Sequence, residues 1–187
     1  MSGDSQKKEN GIVREILGWI LYIAIIIGLT YFIVTYIGQR TNVSGSSMEP
    51  MLSDGDNLIV DKISYRFKEP ERYDIIVFPF QYEKNTFYIK RIIGLPGETV
   101  EIDSDGVIYI NGKELTEYYG REIIADPGIA RDKITLGIDE YFVMGDNRNN
   151  STDSRSSIVG NIHKKDILGR AWLRIWPLHE FELLTDN

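Results

Sequence analysis

The chain has 187 residues, 21 of them basic and 28 acidic, for a formal net charge of −7. That length suits one globular domain with an anchor or a small insertion. The absence of cysteine excludes disulfides, thiolate catalysis and cysteine-based zinc sites. Residues 1–39 are charge-balanced, so the net −7 falls on the remainder, which holds 18 basic and 25 acidic side chains. Such a domain lacks the basic patch that nucleic-acid binding needs. The two histidines, His163 and His179, lie far apart and near no acid or nucleophile in a recognisable pattern. A Ser-His-Asp triad and a His-rich metal site are therefore excluded, and a catalytic base would have to be Lys, Asp, Glu or Tyr.

From Ile16 to Gly38 no residue is charged, and Ile, Leu, Val, Phe and Tyr dominate. At about 1.5 Å per residue such a run crosses a hydrocarbon core of roughly 30 Å. Trp19 and Tyr36 stand near its ends, where amphipathic rings favour the interface. It is too long for a signal-peptide core, no A-x-A-like cleavage site follows it, and it is uniformly apolar. It is predicted to be a retained transmembrane anchor over 16–38. Lys7, Lys8 and Arg14 flank one side and Arg40 the other, so residues 1–15 are predicted to be a cytoplasmic tail. The remainder would then lie outside the cytoplasmic membrane.

Beyond the anchor the pattern is mostly β, with no convincing helix. Strands are predicted at 58–60, 74–78, 87–93, 100–102, 107–110, 113–115, 141–144 and within 167–176. Pro79 closes the second, and the turn Gly94-Leu95-Pro96-Gly97 ends the third. Asp105-Gly106 and Asn111-Gly112 favour tight hairpins. The segment 116–138 is more polar, with Asp126-Pro127-Gly128 read as an exposed turn. The domain is read as mostly β.

Three stretches carry possible chemistry. Gly45-Ser46-Ser47-Met48-Glu49-Pro50 places a hydroxyl at a bend that cannot be helical, because Pro50 lacks an N–H and restricts Glu49. In Tyr88-Ile89-Lys90-Arg91-Ile92, strand alternation puts Lys90 on the face of Tyr88 and Ile92 and sends Arg91 to the other. An ammonium between two apolar neighbours is desolvated, which lowers its pKa and lets it act as a general base. A lysine snorkelling to water is the alternative on those residues alone. The polar loop 145–155 is no calcium site, since Arg148 and Ser151 occupy positions that need a carboxylate or amide and a glycine. Asn42-Val43-Ser44 and Asn150-Ser151-Thr152 match the glycosylation pattern, which is short enough to arise by chance.

Taken together, Ser47-Met48-x-Pro50 after an anchor, Tyr88-Ile89-Lys90-Arg91 before Gly94-Leu95-Pro96-Gly97, and Gly145-Asp146-Asn147-Arg148 with Ser151, Asp153 and Arg155 resemble the bacterial type I signal peptidases. The order of motifs and the topology are the family's, and the resemblance runs from the anchor through Trp176. It implies a membrane-bound Ser/Lys serine endopeptidase that removes signal peptides from exported preproteins after small residues, with a catalytic β core over 40–101 and 139–187 and a small β insertion at 102–138. By that resemblance Ser47 is the nucleophile, Lys90 the general base, and the Ser47 N–H an oxyanion donor. Ser151 would hydrogen-bond the lysine amine. Asp153 and Arg155 would form a supporting ion pair, with Asp146 and Arg148 holding the loop. Val43, Ser44, Met48, Leu52, Tyr88 and Ile89 would line the substrate pockets. Partners would be signal peptides and the bilayer, with no cofactor, metal or nucleic acid. Two departures stand out: Gly45 replaces a serine that some members use as a second oxyanion donor, and Asn149 replaces a common aspartate. Other readings are a Ser/Lys self-cleaving regulator, which would carry a DNA-binding head where this chain has its apolar segment, and a non-catalytic tethered β-domain.

Overall fold

The computed structural model describes residues 3–32 and 38–184. Tyr36 lies outside the described residues, and Gly38, the last residue of the predicted anchor, is the first residue of a strand. The chain divides into two units, residues 1–38 and 39–187. The first contains, among the described residues, one α-helix, α1 (Gly3–Phe32). Its stretch Arg14–Tyr31 is long and apolar enough to cross a membrane. Ile16, Leu17, Ile20, Leu21, Ile23 and Ile27 are all more than half exposed. An apolar surface turned outward all round is what a lipid-facing helix presents.

The second unit is built from two antiparallel sheets, as the turn-punctuated apolar runs predict. Its strands are β1 (Gly38–Asn42), β2 (Asn57–Asp61), β3 (Ile75–Pro79), β4 (Phe87–Gly94), β5 (Thr99–Ile102), β6 (Ile108–Ile110), β7 (Lys113–Glu114), β8 (Ile134–Thr135), β9 (Glu140–Met144), β10 (Ile162–His163), β11 (Gly169–Trp176) and β12 (Glu182–Leu183). The large sheet runs β1-β2-β11-β3-β4-β9-β10, with β12 alongside β11; the small sheet runs β7-β6-β5-β8. Only short 3₁₀ turns interrupt the described β unit, so the expected absence of helix holds there. The β6–β7 hairpin closes through Asn111-Gly112, both at positive φ, as a two-residue loop requires.

The continuous apolar runs of β3 and β4 have a physical cause: both faces of these central strands are covered. Ile75, Val77 and Ile89 pack with Val43, Met48, Leu52, Leu58 and Val60 on one face. Ile76, Phe78 and Ile92 pack with Tyr141, Val143 and Ile162 on the other. A third cluster joins the two sheets, with Ile93, Phe142 and Met144 against Val100, Ile102, Ile108 and Leu136. Each such fully buried side chain is worth about 1.5–3 kcal/mol of transfer free energy.

The turn Asp126-Pro127-Gly128 differs from expectation. Pro127 is buried, and the Ile129 N–H donates to the Arg155 carbonyl at 2.9 Å. The segment 117–130 is drawn onto the polar loop because that loop offers it carbonyls and charges, which local composition does not reveal.

Candidate active site

Ser47 is presented by a tight turn whose walls are apolar and whose carbonyls are held from outside. Met48, beside it, is buried to 1% exposure and anchors the turn in the core. The Ser47 carbonyl accepts the Asn147 N–H at 3.0 Å, and the Ser46 carbonyl accepts Asn147 Nδ2 at 3.0 Å. Asn150 Nδ2 donates to Ser46 Oγ at 2.8 Å. The polar loop thus grips the serine turn across about a hundred residues of sequence.

Lys90 rises from the middle of β4, opposite Ile76 of β3. Its side chain shares a face with Tyr88 and Ile92, as alternation predicts, and the residue is 4% exposed. Lys90 Nζ lies 2.7 Å from Ser47 Oγ, 3.0 Å from the Ile89 carbonyl and 5.0 Å from the centre of the Tyr88 ring. Burial away from water lowers its pKa to about 8, against the opposing pull of the Asp153 and Asp146 carboxylates. The snorkelling alternative is therefore excluded in this structure.

The support beneath Ser47 and Lys90 is only partly the one expected. Arg155 does pair with Asp153, through Nε and Nη2 at 2.9 and 2.8 Å. Asp153 in turn accepts the Gly145 N–H at 3.1 Å. Asp146, however, is held by Arg91, in a bidentate pair at 2.9 and 2.8 Å with both side chains buried. Burial pushes the Asp146 carboxyl up, and Arg91 opposes the shift. The Arg91 guanidinium also lies 3.8 Å from the centre of the Tyr119 ring. Arg148 pairs with half-buried Glu117 at 2.7 Å and donates to the Gly145 carbonyl at 3.0 Å. The sequence assigns Arg91, Glu117, Asn147 and Asn150 no role in the site, although Arg91 and Asn147 stand within its motifs. Of these only Arg91 carried a signal, as a charge forced to the second buried face of an apolar strand.

Two expectations need correction. Ser151 makes no hydrogen bond to the Lys90 amine; its Oγ is buried without a partner, close against Gly145. The amine directs its bonds to Ser47 Oγ and the Ile89 carbonyl instead. Leu52 is wholly buried in the core with Val43, Met48 and Ile89, and does not border the cleft. Val43, Ser44, Met48, Tyr88 and Ile89 do border it, in a groove of about 350 Å³ that also takes in Ser46, Ser47 and Lys90. Asn149 has a use that an aspartate could not fill. It accepts the Ala125 N–H at 2.9 Å and donates to Glu122 Oε2 at 3.0 Å and to the Ile123 carbonyl at 2.9 Å.

Residues 16–176 match the family described as signal peptidase, peptidase S26. The chain belongs to this family. As a peptidase of this kind it is similar to the probable signal peptidase I-2 of Synechocystis sp. (42% identical, over 91% of this chain and 77% of that one). It is also similar to signal peptidase I P of Bacillus subtilis subsp. natto (38% identical, over 91% and 95%). The crystal structure of a signal peptidase I from Enterococcus faecalis V583 is 36% identical, covers 55% of this chain and 97% of that one, and superposes with a TM-score of 0.46. Among the described residues no group of three or more His, Cys, Asp or Glu could hold a metal. In this structure one hydroxyl and one buried amine lie at hydrogen-bond distance from each other, with the polar loop holding the serine turn.

Proposed function

We propose that this peptidase removes signal peptides from exported preproteins, with Ser47 as nucleophile and Lys90 as general base. The observation that carries the reading is the 2.7 Å approach of Lys90 Nζ to Ser47 Oγ, with the amine buried and its pKa lowered to about 8. A neutral amine at hydrogen-bond distance can take the hydroxyl proton as the oxygen attacks the scissile carbonyl carbon. The tetrahedral oxyanion then forms beside the turn. The Ser46 carbonyl is turned to Asn147, so the Ser47 N–H of the same planar trans peptide points the opposite way and donates to the oxyanion. Lys90 passes the proton to the leaving amine, the acyl chain stays on Ser47, and Lys90 then deprotonates the water that releases it. Asp153, Arg155, Asp146 and Arg148 hold the loop, and Ser151 fills the space against Gly145.

An extended substrate lies in the groove between residues 42–48 and the first half of β4, adding as a strand. Small side chains before the scissile bond suit the pockets formed by Val43, Ser44, Met48, Tyr88 and Ile89. Helix α1 anchors the enzyme in the bilayer with the basic N-terminal residues in the cytoplasm and the β unit outside. The small sheet is an insertion into the catalytic β core.

The test is cleavage of a preprotein by detergent-solubilised enzyme, wild type beside Ser47→Ala and Lys90→Ala. The reading expects cleavage after a small residue, lost in both variants. A Ser47→Ala enzyme that cleaves at the wild-type rate would sink it.

A further inference from the structure

We infer that the Ser46 hydroxyl, aimed by Asn150, is the second donor to the oxyanion. This rests on the reading of Ser47 and Lys90 given above. Oxyanion stabilisation in acyl transfer draws on fixed donors directed at the developing charge, and one backbone N–H supplies only part of it. A side chain two residues before the nucleophile is not available, and backbone geometry gives the reason. Gly45 sits at φ +88°, where an L side chain is strained although nothing lies within 4 Å of where its Cβ would be.

Ser46 is the next residue and borders the same cleft as Ser47. A hydroxyl has one proton and two lone pairs. Asn150 Nδ2 donates to Ser46 Oγ at 2.8 Å and so occupies its acceptor side. The Ser46 proton is left to be given away, and the hydroxyl is held in place before substrate arrives. Its backbone is fixed by the same loop, since the Ser46 carbonyl accepts both Asn147 Nδ2 at 3.0 Å and the Glu49 N–H at 3.2 Å. Asn150 is itself seated, with its N–H on the Asn147 carbonyl at 2.9 Å. Ser44 and Thr152 also border the cleft, but both are exposed, and among the described residues no hydrogen bond fixes either side chain. Ser46 is therefore the catalytic donor and Asn150 a positioning residue that acts through it.

The experiment compares wild type with Ser46→Ala, Ser46→Thr and Asn150→Ala, with Ser47→Ala as control. Three quantities are read: kcat and KM on a preprotein, affinity for a peptide aldehyde ending in alaninal, and affinity for the released signal peptide. The aldehyde adds Ser47 Oγ across its carbonyl to give a hemiacetal whose oxygen occupies the oxyanion position; the product peptide does not. Ser46→Ala should lower kcat about 10²-fold with KM unchanged. It should weaken the aldehyde by a similar factor and leave product affinity alone. Ser46→Thr should keep most of the rate, and Asn150→Ala should shift kcat and aldehyde binding in the same direction by about tenfold. A Ser46→Ala enzyme with wild-type kcat overturns the inference. So does one that loses aldehyde and product affinity equally, which would make Ser46 an ordinary substrate contact. If Ser46→Ala does not fold, Asn150→Ala decides: unchanged kcat and aldehyde affinity there overturn the inference as well. Cleavage by Ser47→Ala would instead remove the underlying reading.

Discussion

Replacing Lys90 by methionine should make this protein more stable at neutral pH while abolishing its activity. The native amine is 4% exposed and its pKa falls from 10.5 to about 8. At about 1.4 kcal/mol per pH unit, that drop is a penalty of roughly 3 kcal/mol for holding the charge inside the fold. Methionine removes the charge and fits the same long, unbranched space, but gives up the hydrogen bonds to Ser47 Oγ and the Ile89 carbonyl, about 1 kcal/mol each. The balance is a gain of about 1 kcal/mol, or about 2–4 °C in Tm for a chain of this size. The sign reverses with pH. Below pH 8 the amine is protonated in both folded and unfolded chains, and the penalty is carried in full. Between pH 8 and 10.5 the unfolded chain binds a proton that the folded one does not, so wild-type stability rises with pH and the penalty disappears. Above that range the wild type, keeping its hydrogen bonds, should be the more stable of the two. Denaturant unfolding of both proteins in detergent at pH 7 and pH 10.5 measures this. A Lys90→Met protein no more stable than wild type at pH 7, or a difference independent of pH, would refute the reasoning.

The same pKa sets the rate profile. With a midpoint of about 8, the neutral amine is about a tenth of the population at pH 7 and about nine tenths at pH 9, so kcat/KM on a preprotein should climb roughly tenfold across that interval; an acidic optimum would exclude Lys90 as the base. Gly145→Ala would put a Cβ 2.4 Å from the Ser47 carbonyl oxygen and 2.3 Å from Ser151 Oγ. Displacement of the serine turn should cost at least about 10² in kcat, and a wild-type rate would show that the loop has room to spare. Asn149→Asp deletes the donors to Glu122 and the Ile123 carbonyl and sets two carboxylates face to face. Thermal unfolding should show a fall of about 1–2 kcal/mol, whereas an unchanged Tm would mean that segment 122–125 does not depend on this residue.

Most of the fold could be read from the chain because its strands are punctuated. The β4 run ends at Gly94-Leu95-Pro96-Gly97, and Asn111-Gly112 closes the β6–β7 hairpin where its conformational preference demands. Alternation alone buried Lys90 and placed Arg91 on the opposite face. The strands that escaped notice had no apolar period to show. β1 reads Gly-Gln-Arg-Thr-Asn, and β8, β10 and β12 are two residues each. The support of the site was less legible, because it depends on partners remote in sequence. Nothing near Asp146 points to Arg91, 55 positions earlier, and nothing near Arg148 points to Glu117. A charge announces that it must be paired if buried; it does not say with what. Ser151 shows the converse: the motif suggested a bond to Lys90, and the hydroxyl lies buried close to Gly145 without a partner.

The position of β11 has a consequence for biogenesis. This strand, Gly169–Trp176, is inserted between β2 and β3, so two strands from the first half of the chain have no lateral connection to each other until the last tenth is made. The serine turn waits similarly for Asn147 and Asn150. A ribosome-bound chain therefore carries both Ser47 and Lys90 long before it can fix them together. Contacts of such long sequence separation form slowly and late, and hydrolytic competence arrives with chain completion rather than growing in proportion to length. Chains truncated before Gly169 should be inert rather than weakly active, so incomplete synthesis would leave no stray hydrolytic fragment.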